Sequence, residues 1–414
     1  MSLVGMATLL VAGLGVLLCS VGLLVAWDRL AALGRARWPV RAVWLGLCQL
    51  TAVLLVGLVV NHVFVFYQSW SELFGLHPQV NQGSAVTGAQ DAALQPALAR
   101  DYHAGRGTVV SLPVPGTVSG VHAAPATVYL PPQYGAPGYA NRTFPVVELL
   151  SGFPGGPRTW VHVLHVTSVL DTLIDTGRSA PFIAVIPVQN VASPRDTECV
   201  NVVHGPRVED YLTTDVRTAV LRAFRASPSG SQWAVMGDST GGYCSLNLSF
   251  RHPDLFGAVV SLAGYDATAH DSTTGDLFGG STMLAHLNSP LWLLQHEQPP
   301  ALPVLLISTR PDKTAYRAAV RMERAARPPL RLWQLTLPAG GHNFGTFSAE
   351  IPVGFSWLSR QVAGPLAPMP TVDGLAPVPV QPGLSGAGSS SQVVHLRQSS
   401  RPTVHTRLHA ARHG

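Results

Sequence analysis

Charge is scarce in this 414-residue chain: Asp, Glu, Lys and Arg together make up 12%, about half their share of an average soluble protein. With 47% apolar residues and a mean hydropathy of +0.24, this excludes a wholly soluble or mainly disordered chain. Part of it belongs in lipid. Lysine is almost missing, Lys313 standing alone among arginines. The net charge of +5 is mild for this length, and no basic block of the kind nucleic-acid surfaces use is present. No nucleic-acid partner is expected. Cysteine is scarce too: four residues without a C-x-x-C spacing exclude a disulfide scaffold and the common cysteine metal sites. Cys19 and Cys48 fall in apolar runs and read as small hydrophobes. Cys199 and Cys244 lie in the more polar remainder, where an oxidising compartment would allow one disulfide. The sequence leaves that bridge open.

Long hydrophobic runs are what the chain does have. Residues 3–27 and 42–67 contain no Asp, Glu, Lys or Arg, and each exceeds the ~20 residues that cross a bilayer. Between them, Arg29, Arg35, Arg37 and Arg41 stand against Asp28 alone. A short arginine-rich loop stays cytoplasmic, so residues 1–67 are expected to form a transmembrane hairpin with everything after residue 67 extracytoplasmic. The competing reading of the first run, a cleaved signal peptide, lacks a charged leading region, and a second full-length run follows it. Residues 68–104 show no sustained period and read as a linker or loosely packed entry segment. Residues 363–414 are rich in Pro, Gly, Ser and Ala and carry Arg397, Arg401, Arg407 and Arg412. They read as a disordered basic tail, unable to bury enough surface to offset their ordering entropy.

The middle, 105–362, has another texture. Short β-rich runs at 107–112, 126–130, 144–150, 182–186, 232–236, 258–262, 304–307 and 330–337 alternate with helical spacing, clearest at 208–226 and 312–326. Such alternation predicts an α/β, doubly wound sheet with helices on both faces. The two early hairpin-like strands predict an antiparallel edge.

The sharpest motif is Gly237-Asp238-Ser239-Thr240-Gly241-Gly242, between a predicted strand and a predicted helix. That is the setting of a nucleophile elbow, whose strained turn lifts a serine above the sheet. A serine hydroxyl needs a base. His342 follows the strand at 330–337 and the pair Gly340-Gly341, which presents it at the sheet's carboxyl edge; His252, His270, His286 and His296 lack that context. Asp312, just past the strand at 304–307, would orient the imidazole. It would equally suit the cap of the following helix, and Asp266 and Glu323 are its rivals. For the two amides of an oxyanion hole, Thr240 follows the nucleophile, and Phe153 or Gly152 lies in the glycine-rich loop after the strand ending at Leu150. Pro154 cannot donate. Asp238, Gly152 and Tyr265 are further candidates for substrate contact, although the Gly264-Tyr265-Asp266 turn reads equally as packing. The acidic residues Asp196, Glu198, Glu209 and Asp210 read as a surface loop and a helix start, too few for a calcium site. No metal and no cofactor is expected.

With these residues assembled, 107–362 resembles the esterase D-like family of α/β hydrolases, which includes the antigen 85 mycolyltransferases. The resemblance rests on Leu149-Leu150-Ser151-Gly152-Phe153, on Gly237 to Tyr243, on Arg251-His252-Pro253-Asp254-Leu255-Phe256, and on His342, Phe344 and Phe347 leading to Ile351-Pro352. It implies an α/β-hydrolase fold and a serine nucleophile, carboxylate and histidine, which fall on Ser239, Asp312 and His342. Ser356-Trp357 is not preceded by histidine, as the transferase branch would have it, so the general esterases match better. The expected function is a membrane-anchored, extracytoplasmic serine hydrolase of carboxylic esters, with an acyl ester, such as an envelope lipid or glycolipid, as substrate. The alternatives are an acyltransferase to an envelope sugar or glycan hydroxyl and a non-catalytic envelope protein on the same scaffold.

Overall fold

The computed structural model describes residues 6–64, 70 and 94–362. The two apolar runs fold as α1 (Met6–Ala26) and α2 (Arg37–Phe64), joined through 3-10 turns at Arg29–Ala36. Both helices are long and apolar enough to cross a membrane, and only 6% of each hydrophobic window is buried. Leu10, Leu14, Leu17, Val53 and Val56 are each more than half exposed. A core helix of a soluble protein would hide such a surface. The helices touch along their length: the Trp44 indole donates to the Cys19 carbonyl at 3.1 Å, and the sulfurs of Cys19 and Cys48 lie 3.1 Å apart. At the loop end the Arg41 guanidinium sits 4.0 Å from the centre of the Trp27 ring and donates to that residue's carbonyl. Helix α2 starts before the uncharged run, because arginine is a good helix former and need not end a helix.

Within 68–104, expected as a linker, Gln95–His103 forms helix α3. Leu94 and Leu98 join the core of the domain that follows, and the buried Asp101 accepts a hydrogen bond from the Thr108 hydroxyl at 3.0 Å. Its apolar face is too short to register as a period. The rest of the expected linker up to residue 93 (Trp70 aside) and the expected tail at 363–414 lie outside the described residues.

The domain is built on one eight-stranded sheet: β1 (Thr108–Leu112), β2 (Ala126–Leu130), β3 (Val146–Leu150), β4 (Ile183–Ile186), β5 (Trp233–Asp238), β6 (Ala258–Leu262), β7 (Pro303–Thr309) and β8 (Arg331–Leu337). The order across it is β1-β2-β4-β3-β5-β6-β7-β8. β2 is antiparallel to both its neighbours, and the pairs from β4 to β8 are parallel. The antiparallel edge expected from the early strands is therefore present. Strands β3 to β7 are buried throughout, as continuous apolar runs of a parallel sheet covered on both faces must be.

Alternation along each strand sorts side chains to two cores. Val146, Leu150, Trp233, Val235, Val304 and Leu306 face one core with α5 (Arg217–Ala223), α6 (Thr240–Arg251) and part of α9 (Lys313–Ala325). Val147, Leu149, Ala234, Met236, Leu305 and Ile307 face the other with α4 (Val166–Asp175) and α10 (Phe344–Gln361). Two short helices, α7 (Thr282–Leu287) and α8 (Pro290–His296), sit between β6 and β7. The chain runs outward from β3 to β4, then returns to place β5 on the other side of β3. That reversal opens a crevice beyond the carboxyl ends of β3 and β5, where ligands of open α/β sheets bind.

Candidate active site

Strand β5 delivers Ser239 to this crevice. The serine adopts φ 54° and ψ −120°, a backbone region costing about 1–3 kcal/mol for a residue with a Cβ. The surroundings enforce it. The Ser239 amide donates to the Leu262 carbonyl at 2.9 Å, and α6 starts at once with Thr240. Gly237 and Gly241 make so sharp a turn possible: a Cβ on Gly241 would lie 2.0 Å from the Leu150 carbonyl, and one on Gly237 2.1 Å from that of Gly241. As the first residue of α6, Thr240 has a backbone N–H with no carbonyl one turn earlier to receive it, at the end of the helix that favours negative charge.

His342 and Asp312 arrive from the ends of β8 and β7. His342 Nε2 lies 2.7 Å from Ser239 Oγ, and His342 Nδ1 lies 2.6 Å from Asp312 Oδ2. The Phe347 ring meets the imidazole edge-on at 5.4 Å. Asp312 also caps α9, its other oxygen accepting the Ala315 amide at 3.2 Å. Burial pushes its carboxyl up, but the hydrogen bond and charge of His342 and the amides of Ala315 and Thr314 outweigh this and hold it below the usual aspartate range. The rivals sit elsewhere. Asp266 forms a two-point pair with Arg321 at 2.7 and 2.9 Å, and Glu323 lies within α9. His252 pairs with Glu209, His296 stacks on Trp292, and His270 and His286 line a separate cavity of about 700 Å³ whose lining holds neither Ser239 nor His342.

The loop after β3 packs directly on the elbow. A Cβ on Gly152 would come within 2.9 Å of Asp238 Oδ2 and 3.0 Å of Ser239 Cβ. Gln189 holds this loop from below, accepting the Ser151 amide at 2.8 Å and donating to its carbonyl at 2.6 Å. The Gly152 amide faces the Asp238 carboxyl closely enough to draw it down. Asp238 itself is 1% exposed. Expected to contact substrate, it is instead turned away because neighbours on a strand point to opposite sides, and lifting Ser239 out sends Asp238 in. Burial pushes its carboxyl up to about 7, against the lowering pull of the Gly152 amide and His342. Glu350, on α10, is likewise buried with no partner for either carboxyl oxygen, and burial together with the charges of Asp312 and Asp238 raises it to about 8.

Tyr265 is half-buried and packs face to face on Tyr243, with ring centres 5.1 Å apart. Its hydroxyl lies 2.9 Å from Glu198 Oε1 and 3.1 Å from Thr240 Oγ1, which favours the packed turn over the pocket wall. The acidic segment expected on the surface is also buried: Asp196, Thr197, Glu198 and Cys199 are each at most 3% exposed. Cys199 is bridged to Cys244 of α6. Glu209, expected at an exposed helix start, is buried and held by Arg251 and His252. No local signal marks these contacts, which join residues more than 40 positions apart. The described residues contain no cluster of three or more His, Cys, Asp or Glu able to hold a metal ion.

Sheet order, elbow and crossing loops define an α/β hydrolase. A family model, Esterase, matches residues 122–346, more than half of the chain, and the chain belongs to that family. It is 26% identical over 271 residues to an uncharacterized protein of Corynebacterium glutamicum; the match covers 62% of this chain and spans 62% of that relative's length. Among solved structures it is similar to a ferulic acid esterase, with a TM-score of 0.53 and 19% identity over 62% of this chain and 98% of that one. An S-formylglutathione hydrolase from Agrobacterium tumefaciens matches with a TM-score of 0.51 and 14% identity over 62% and 95%. Fluorophosphonate-binding serine hydrolase F of Staphylococcus aureus matches at 0.50 and 17% over 61% and 99%. Family and fold support an esterase.

Proposed function

We propose that this protein is a membrane-anchored serine hydrolase that cleaves carboxylic esters on the extracytoplasmic side through an acyl-enzyme. One observation carries the reading: a single imidazole bridges Ser239 Oγ at 2.7 Å and Asp312 Oδ2 at 2.6 Å above the carboxyl edge of the sheet. Ser239 attacks the ester carbonyl while His342 Nε2 takes its proton. The tetrahedral oxyanion is held by the Phe153 and Thr240 amides. Its collapse expels the alcohol, which receives the proton from His342, and leaves the acyl group on Ser239. Water then repeats the sequence and frees the acid. Asp312 keeps the Nδ1 proton in place and offsets the imidazolium charge. The outward placement rests on the arginine-rich loop between the two apolar helices and on a disulfide in the domain, which persists where thiols are not kept reduced.

The full-length chain, purified in detergent, should react with a fluorophosphonate probe and hydrolyse a p-nitrophenyl ester. Ser239→Ala should lose both while keeping stability within about 1 kcal/mol. A folded wild-type chain that stays unlabelled, or an alanine variant that still turns over, overturns the catalytic reading. For topology, Ser231→Cys on the exposed domain surface should react with an impermeant maleimide on intact cells. Protection there overturns the outward assignment.

A further inference from the structure

Beside the elbow, four side-chain oxygens form a chain that the mechanism above does not use. Glu198 Oε1 is 2.9 Å from the Tyr265 hydroxyl, which is 3.1 Å from Thr240 Oγ1, which in turn is 3.1 Å from Asp196 Oδ2. Three links need three protons, and the two hydroxyls supply only two. With both carboxyls ionised, one link would set two lone pairs against each other in a buried place, at the cost of an unmade hydrogen bond. One more proton on a carboxyl completes the chain. Asp196 is raised by burial as well, but it is the better stabilised carboxylate of the two, with separate donors on its two oxygens: the Glu198 amide at 2.9 Å on Oδ1 and the Thr240 hydroxyl on Oδ2. Glu198 has, apart from Tyr265, only the Ala269 amide, shared between both its oxygens at 3.0 Å.

We infer that Glu198 is a positioning residue of the oxyanion hole: carrying the third proton, it donates to Tyr265, Tyr265 donates to Thr240, and Thr240 donates to Asp196, which fixes the Thr240 backbone beside Ser239. The inference rests on the proposed hydrolase mechanism and assigns a task within it. The frame around the chain is rigid. Glu198 and Cys199 sit in left-handed conformations at φ 45° and 56°, and the Cys199–Cys244 bridge ties them to α6, the helix that Thr240 begins. Of the groups facing Glu198, Asp196 on its own loop and Asp271 from the segment after β6 disfavour its charge, the Tyr265 hydroxyl and the Ala269 amide favour it, and Tyr243 faces it from α6. Burial, reinforced by the two aspartates, pushes Glu198 up to about 8. Raising the pH through that value removes the third proton and breaks the Tyr265–Thr240 link, leaving Thr240 held by Asp196 alone.

The test is the pH profile of kcat and KM for full-length wild type, Glu198→Gln, Glu198→Ala and Tyr265→Phe, each normalised to sites titrated by a fluorophosphonate. Wild-type kcat should fall about tenfold on an alkaline limb near pH 8, with KM within about threefold. Glu198→Gln, whose amide N–H donates to Tyr265 at every pH, should lose that limb and recover most of what Glu198→Ala forfeits. Tyr265→Phe removes only the central hydroxyl and should lower kcat about 10- to 100-fold, less than deleting an oxyanion donor outright. An alkaline limb unchanged in Glu198→Gln, a Tyr265→Phe variant with wild-type kcat, or losses confined to KM overturn the inference while the esterase reading stands. An inert wild-type chain overturns both.

Discussion

Asp312→Asn separates the two tasks that one carboxyl performs in this fold. Oδ1 accepts the Ala315 amide at 3.2 Å and starts α9; Oδ2 receives His342 Nδ1 at 2.6 Å. Asparagine keeps an acceptor for the cap but puts an N–H₂ group where Oδ2 was. Two donors cannot face each other, so Nδ1 must give up its proton and Nε2 must carry it. The imidazole then points an N–H at Ser239 Oγ across 2.7 Å and has no lone pair with which to take the serine proton. Loss of the correct tautomer costs about 10⁴ in kcat in a serine–histidine–aspartate system, equivalent to about 5.5 kcal/mol of transition-state stabilisation. Stability should change little, because asparagine and aspartate are comparable caps. Part of the carboxylate's contribution does go: a group held below its ordinary range stabilises the fold above that range and loses the effect on acidification. Asp312→Ala should match the kinetic loss and remove about 1 kcal/mol more through the missing cap. Burst kinetics with a p-nitrophenyl ester, alongside thermal melts, read both quantities. An Asp312→Asn enzyme within tenfold of wild-type kcat would refute the assignment of the orienting acid.

Gly241→Ala should destabilise by several kcal/mol or prevent folding, since its Cβ would meet backbone at 2.0 Å; Gly156→Ala, with nothing within 4 Å, is the control, and equal denaturation midpoints for the two would count against the elbow's packing. Reducing the Cys199–Cys244 bridge, which spans 45 residues, should cost about 4 kcal/mol by loop closure; a urea midpoint unmoved by reductant would show that the bridge carries no stability. Glu148 and Glu350, raised by burial to about 8, and Asp238, raised to about 7, hold protons in the folded state that the unfolded chain has released. Stability should therefore fall as pH rises from about 4.5 to 8, flattened by Glu148→Gln; a urea midpoint higher at pH 8.5 than at pH 5 would contradict it.

The parts legible in the sequence share a physical cause. Each strand of the sheet is a short apolar run, β-branched in its central members and bounded by glycine, proline or polar residues, and such runs declare themselves locally. Ser239, Asp312 and His342 each follow one of those runs at a turn, so the rule that places chemistry at the carboxyl ends of strands brought them out together. Helix α3 and the loop from Asp196 to Cys199 have no such signature. The loop is polar in composition yet buried, because its partners are Thr240, Tyr265 and Ala269, some 44 to 71 positions away. No window on the chain contains both sides of those contacts. Composition alone sends acidic residues to the surface, and only a fold that supplies hydroxyls and amides can keep them inside.

The choice between Gly152 and Phe153 as the second oxyanion donor turns on the same kind of distant contact. Both amides belong to one turn, closed by the Gly155 amide donating to the Gly152 carbonyl at 2.7 Å, and spacing treats them alike. The buried carboxyl of Asp238 breaks the tie. With Ser239 lifted outward, Asp238 points inward beside Gly152, whose missing side chain lets the two segments touch and whose amide draws the carboxyl down. An amide that faces one buried carboxyl is poorly placed to serve a second anion. On the proposed mechanism the oxyanion therefore falls to Phe153, and Asp238 contributes by holding the turn from behind rather than by meeting the substrate.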